Sequence, residues 1–439
     1  MLALGLFAAV ADRTCGTALQ CQALSRQDQA MTAIVYALPV LLLSVAFEAW
    51  LAHRRGLATH TFADTVTSIN FGILSQVSNS FTKLVTLGIY TAVFENFRLG
   101  TWAMDSVWAW LLALLMHDFF YYWFHRFNHE VGIMWAAHVA HHNSEHFNIS
   151  TALRQASGTK LLRWTFYLPL AVAGVPPVMF VVVVLIDLLY GYWNHTELIG
   201  KMGWFDRVFG SPSNHRVHHG QTAYCIDKNY GSMLIVWDRL FGTFEQERGE
   251  EPVVYGVRKP VGSFNPLRGN LQVYVALWRE AAQATGWRRK LDVLLAPPGG
   301  WSDAPVAPFD AQAFKRQASH CSKSTGWYTV AQLVGGMAML AHFLIVFRQL
   351  PISMALGYAA LIVWTTLATG ALLDGRAWGA RLEAARLIAS AVLFAALPLW
   401  FGSEPATAIK GLVVATALGS LLWLLRRSGS GPAQRGAMA

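Results

Sequence analysis

Charge is what this 439-residue chain has least of. Only 13% of its residues are Asp, Glu, Lys or Arg, about half the share in an ordinary soluble domain. The length alone would allow about three soluble domains, but so little charge cannot solvate their surfaces. Cysteine is scarce too. Cys15, Cys21, Cys225 and Cys321 show no CxxC spacing, so they spell no thiolate metal motif. Cys15 and Cys21 lie close enough to pair in an oxidising space, although two free thiols is the plainer reading. No block of bases occurs: the net charge of +9 is spread through loops, which argues against nucleic-acid binding and for positive-inside charge and attraction to anionic lipid. No internal repeat or low-complexity tract stands out. The apolar opening "MLALGLFAAVA" has no basic n-region, so a cleaved signal peptide is not expected.

What the chain does have is apolar length. Hydrophobic residues make up 54%, and several runs reach the ~20 residues that cross a bilayer. Spans are expected near 32–52, 68–95, 102–124, 328–348, 352–373, 382–401 and 407–425. Residues 160–193 are broken by Gly174 and Pro176-Pro177 into two short arms, which predicts a re-entrant helical hairpin. The fold class is therefore all-α, a multi-pass integral membrane protein. Its expected parts are an N-terminal segment (1–31), a membrane-embedded core (32–245), a polar cytoplasmic linker (246–326), a C-terminal group of four transmembrane helices (327–427) and a disordered tail (428–439). If Arg54-Arg55 face the cytoplasm, then Arg126, the 194–326 segment, "DGRAWGARLEAAR" and Arg426-Arg427 do as well, as positive-inside charge requires. Arginine exceeds lysine and alanine is abundant, the bias of a GC-rich bacterial genome. That places the chain in a bacterial inner membrane; a eukaryotic chain would sit in the endoplasmic reticulum.

Into this apolar chain eleven of the fifteen histidines crowd between residues 117 and 219. His125 and His129 are four apart, on one helix face. "HVAHH" supplies His138, His141 and His142, and "HRVHH" supplies His215, His218 and His219 at the same spacing; His195 stands alone in "WNHTE". A single histidine on a helix is usually a satisfied polar residue. So many together would repel one another if protonated, and if neutral each offers a lone pair that wants a donor or a metal. One tetrahedral ion needs four ligands, so nine histidines suit two ions, at a site on the cytoplasm-facing helical cap. Imidazole alone does not choose among Fe, Zn, Cu and Ni. His117 sits more than two turns before His125 and is expected to be a buried polar contact, and His146 a loop residue. The sequons at Asn148 and Asn194 fall beside histidines on the cytoplasmic face and read as chance matches.

Metal-bound histidines commonly donate their second N–H to a carboxylate. Asp118, Glu130, Glu145 and Glu197 lie beside the motifs, and Glu130 and Glu197 are the expected catalytic or ligand-supporting carboxylates. A solvated interfacial carboxylate is an equal alternative for each.

The order HxxxH, HxxHH, lone His, HxxHH resembles the signature of the fatty acid hydroxylase/sterol desaturase superfamily of membrane di-iron enzymes. The flanking stretches "GIMWAAHVAHHNSEHFNISTALRQ", "NHTELIG", "HRVHHGQTAYCIDKNYGSMLIVWDRLFGTFE" and "PVVYGVRKPVGSFNPL", together with "LLDGR" among the last spans, are similar to its alkylglycerol monooxygenase branch. The resemblance runs from about residue 60 to the end. It implies two Fe ions that use O2, a lipid substrate drawn from the bilayer, and oxidative cleavage of a glyceryl ether to fatty aldehyde. It also implies tetrahydrobiopterin or another electron donor, which a redox partner can supply. Oxidation of a sterol, a fatty acid or another lipid by hydroxylation or desaturation is the alternative enzyme. A membrane metal transporter is the alternative of a different class; it would need ionisable groups at midplane in several spans, and apart from His117 and Asp187 the spans around the histidines have few.

Overall fold

The computed structural model describes residues 37–301 and 309–428. Cys15, Cys21, the N-terminal segment and all but Ser428 of the expected tail lie outside them. Among the described residues every regular element is a helix, with isolated bridges such as Phe209 to Leu234. Four helices among the described residues are long and apolar enough to cross a membrane: Ala37–Arg54 (α1), Lys323–Gln349, Ile352–Leu373 and Thr407–Arg426. The runs expected to cross at 68–95, 102–124 and 382–401 are mostly helical as well, within Phe62–Phe97, Val107–Glu130 and Gly379–Ala396, but these three helices are not among the four.

The stem of the molecule is α2, Phe62–Phe97, capped by Thr61, whose hydroxyl accepts from the Asp64 N–H. Its 36 residues extend about 54 Å at 1.5 Å per residue, against a hydrocarbon core of about 30 Å. The surplus lies at the N-terminal end, where Asp64, Thr67, Ser68 and Asn70 are buried in protein. Beside it stands α3, Val107–Glu130, which ends in the HRFNHE motif. The broken run forms two helices, Thr159–Ala173 and Pro177–Trp193. Their 15 and 17 residues are shorter than the ~20 of a usual crossing. Gly174 turns the chain at φ 100°, and a side chain there would run into the Gly100 carbonyl. The Gly174 carbonyl accepts from the Trp102 N–H at 3.0 Å and Val172 from Leu99 at 2.8 Å. Protein thus satisfies the turn's backbone, the condition for irregular chain at membrane depth.

The last four long helices are Lys323–Val346, Ile352–Leu373, Gly379–Ala396 and Thr407–Ser428. The first two pack on α2 around Ile73, Leu340, Phe343, Tyr358 and Ile362. Polar contacts lock the two halves. Asn70 donates to Thr369 Oγ1 at 3.0 Å, and Asp374, in "LLDGR", accepts from the Ser263 hydroxyl at 2.5 Å and the Phe264 N–H at 2.6 Å. Gly370 allows this approach, since a Cβ there would lie 2.9 Å from the Phe264 carbonyl oxygen. Helices and loops within 132–158 and 194–296 form a cap at the C-terminal end of α3.

Candidate metal centre

Each histidine motif is placed by an ordinary local signal. His125 and His129 lie on the last turns of α3. A tight turn at Val131 leads into Gly132–Ala136 and then Val139–His142, which carry HVAHH. Asn148 closes that loop with a capping box on Thr151. HRVHH rides on Pro212–His218, opened by Ser211, which accepts from the Asn214 N–H, with Pro212 in the first turn. His195 follows the second arm of the hairpin.

The nine histidines converge as two adjoining groups. His125, His129, His138, His142 and His218 form one; His141, His195, His215 and His219 form the other; within each, the ring nitrogens lie within 4.8 Å of one another. All are buried except half-buried His215. The groups cut across the sequence motifs. In each HxxHH, the i and i+4 rings go to one group and the middle ring to the other. The reason is geometric: at 100° per residue, i and i+4 differ by only 40°, while the adjacent ring at i+3 points elsewhere. His142 and His219 stack across the boundary at 4.3 Å between centroids.

Tautomers follow from the partners. Nδ1 of His125, His141, His195 and His218 lies 2.8, 3.0, 2.9 and 3.0 Å from the carbonyl oxygens of Tyr230, Arg154, Gly191 and Lys228. A carbonyl only accepts, so each Nδ1 carries the proton, and each Nε2 of a neutral ring presents a lone pair. Yet His195 Nε2 and His141 Nε2 face each other at 3.3 Å, lone pair to lone pair. Comparable Nε2 separations join His125 to His138 (3.1 Å), His142 to His138 (3.1 Å), His215 to His195 (3.0 Å) and His219 to His215 (3.2 Å). Nε2 of His129 and of His218 is buried with no hydrogen-bond partner. Burial presses the cap imidazoles toward the neutral form, His141 down to about 4. Neutral rings with inward lone pairs about 3 Å apart have the spacing of donors that could share a cation: a metal–N length of ~2.1 Å sets neighbouring donors roughly 3 Å apart. The donor set fits metal.

The carboxylates act elsewhere than on the rings. Glu130 receives Arg126 Nε at 2.9 Å and its side chain is 39% exposed; Glu197 is half-buried, its carboxyl pushed up by burial; neither falls in a donor group. Asp118 accepts from the N–H groups of Met233 and Leu234 and from Trp237 Nε1, at 2.9, 3.1 and 2.9 Å. Glu145 accepts from the Gln317 N–H. Backbone carbonyls, not carboxylates, orient the four rings whose Nδ1 partner is defined, and Asp118 ties down the loop that follows the Tyr230 carbonyl.

Other residues that sequence reading missed share this task. Asp238 accepts from the N–H groups of Tyr230 and Gly231, both at 2.7 Å, aiming the carbonyl that holds His125. Arg154, whose carbonyl holds His141, is itself buried against Asp64 at 3.4 Å. Arg216, inside HRVHH, pairs with Glu247 through Nε and Nη2, both at 2.7 Å. Glu48 on α1 receives Thr196 Oγ1 and the Ile149 N–H, joining two ligand loops to the first span. No period or spacing in the chain marks these partners, which lie from 7 residues apart (Gly231 and Asp238) to 148 apart (Glu48 and Thr196). His117 stacks on Tyr167 at 4.7 Å and His146 lies in the loop after His142; neither belongs to a donor group.

A fatty acid hydroxylase family model matches residues 110–243, the interval that supplies all nine rings. Similar proteins are the alkylglycerol monooxygenases of Homo sapiens (37% identical, 75% of each chain) and Xenopus tropicalis (36%, 74% of each). That of Danio rerio is 43% identical over 54% of this chain and 52% of its own. No solved structure matches. Identity of this order over three-quarters of both chains reaches well beyond the histidine motifs, and the chain belongs to the alkylglycerol monooxygenase family of membrane lipid monooxygenases.

Proposed function

We propose that the two histidine groups hold a pair of iron ions, and that the enzyme oxidises the carbon next to the ether oxygen of an alkylglycerol in the bilayer. The supporting observation is the paired cluster of histidine ring nitrogens at the C-terminal end of α3, where the cap begins. Bound there, the metal pair supplies O2 activation. With two electrons and two protons, one oxygen atom becomes water and the other enters the C–H bond. The resulting hemiacetal breaks its C–O bond, giving fatty aldehyde and a glycerol product. The electron donor is tetrahydrobiopterin or another reductant.

The chain's own part is placement. Carbonyl-clamped imidazoles keep their tautomers and cost no reorganisation when metal binds. The buried rings exclude water from the reacting carbon. Tyr121 touches His125 edge-on at 5.3 Å, while Tyr122, Phe124 and Phe119 pack on Phe241, Phe166 and Trp237. This run therefore stiffens α3 beneath the site, and whatever lines the alkyl chain lies outside its packed faces. Glu130 and Glu197 belong to the reading as polar groups at the rim, where a glycerol head would sit. With Arg54-Arg55 and Arg426-Arg427 inside, the cap faces the cytoplasm.

The test is to purify the protein in detergent, measure metal, and supply a 1-O-alkylglycerol with O2 and tetrahydrobiopterin. About two irons per chain and release of fatty aldehyde is the expected result for a binuclear site. Zinc-only protein that oxidises no lipid would overturn the reading.

A further inference from the structure

The segment 246–326 reads as a polar linker, yet it contains two helices with an apolar stripe turned away from the protein. In Pro266–Gln283, Leu267, Leu271, Val275 and Trp278 are exposed, Trp278 by 76%. Their spacing of four, four and three keeps them on one side of the helix. The opposite side buries Gly269, Asn270 and Leu277. In Trp287–Leu295, Trp287 (67% exposed), Leu291 and Leu295 repeat the pattern, while Val293 is buried with Leu277, Ala136 and Trp301 in the seam between the helices and the cap. Exposed bases flank the stripe: Arg268, Arg279, Arg288 and Lys290, with Asp292 the exposed acid among them.

We propose that this helix pair lies in the plane of the membrane, its stripe sunk into the leaflet beside the cap and its bases on anionic phospholipid headgroups. Three observations select this occupant over a protein. The described residues already include four helices long and apolar enough to cross a bilayer. The pair sits where α3 ends: the Gly132 N–H donates to the Ala296 carbonyl at 2.9 Å, two residues past Glu130. And a Trp/Leu stripe bordered by Arg and Lys is the composition that binds a headgroup–acyl boundary. The pair also touches the metal-bearing loop, since Gln272 Nε2 donates to Asn143 Oδ1, next to His142, at 3.0 Å. Anchoring it therefore sets the height of the cluster relative to the lipid surface.

The experiment uses full-length, cysteine-free protein in vesicles of phosphatidylcholine with phosphatidylglycerol. A fluorophore is placed by Trp278→Cys or Leu291→Cys on the stripe, and by Gln283→Cys or Asp292→Cys off it. Stripe labels quenched by shallow spin-labelled lipid and shielded from iodide, with the reverse for the controls, is the expected result. The triple change Arg279→Glu, Arg288→Glu and Lys290→Glu should lower the ratio of membrane-sunk to free helix pair, read as lipid quenching at Leu291→Cys, by at least about tenfold, and reconstitution into pure phosphatidylcholine should do the same. Stripe labels open to iodide in these vesicles overturn the proposal. So does shielding that persists without anionic lipid and vanishes when vesicles are prepared with at most one copy each, which would make a second copy the occupant. Shielding seen in native membranes alone would make it another protein, and equally overturns it.

Discussion

The cap and the C-terminal bundle solve the same problem, holding helices and loops in one arrangement, by opposite means. The bundle uses small residues and aromatic stacks: Ala355, Ala359, Ala368 and Ala371 are buried, and Tyr358 lies flat on Phe401 at 4.1 Å. Lipid supplies no hydrophobic drive between helices, so close packing carries it. One ionic network interrupts this pattern. Arg386 reaches Glu383 at 2.7 Å and Gln332 at 2.6 Å, and Tyr328 donates to the same Glu383 at 2.5 Å. The cap has little regular structure and is stitched by acids and arginines to backbone. The two regions separate stability from chemistry: bundle contacts keep the molecule together, and cap contacts orient the rings of His125, His141, His195 and His218.

Changes to the ligands should divide the two most. His141→Ala and His218→Ala each remove one donor from a different group, so each should lower bound metal and cut turnover by at least about 100-fold. His117→Ala, in α3 but outside both groups, should leave metal stoichiometry intact. Metal analysis beside an aldehyde assay reads both; metal lost from the His117 variant would redraw the ligand set.

Next comes the clamp on HRVHH. Arg216→Leu strands Glu247 and releases the carbonyls of Thr196 and Ile199, which Arg216 Nη1 holds at 2.9 and 2.7 Å. The expected cost is on the order of 3 kcal/mol of stability, measured by thermal unfolding, with metal affinity falling in step. Full metal affinity after that change would show that the loops are held some other way.

The smallest catalytic effect is expected from the bundle. Arg386→Leu leaves Glu383 buried and unpaired, a loss on the order of 3 kcal/mol, but metal content and turnover per folded molecule should stay within about twofold. A large fall in turnover at full metal loading would mean that the bundle reaches the chemistry through the Asn70–Thr369 and Ser263–Asp374 contacts.

The helices, the hairpin and the identity of all nine clustered histidines were legible in the chain, because apolar length, the Gly174-Val-Pro-Pro break and the HxxxH and HxxHH spacings are local. The carboxylate partners were not. Adjacency in sequence suggested Glu130 and Glu197 as supports for the rings, yet Glu130 turns to Arg126 and the clamping acids are Asp118, Asp238 and Asp64, reached from distant segments. The linker was misleading for a related reason: its average polarity hides two stripes that only a helix with one face buried can reveal.

The sequence by itself determined that this chain lives in a membrane and carries two metals' worth of imidazole, since both follow from composition and helical period. The tertiary structure decided how the rings divide, five and four across motif boundaries, and which backbone carbonyls set their tautomers. A helix period brings residues three and four apart together, but which neutral nitrogen faces which depends on where loops from four separate parts of the chain come to rest.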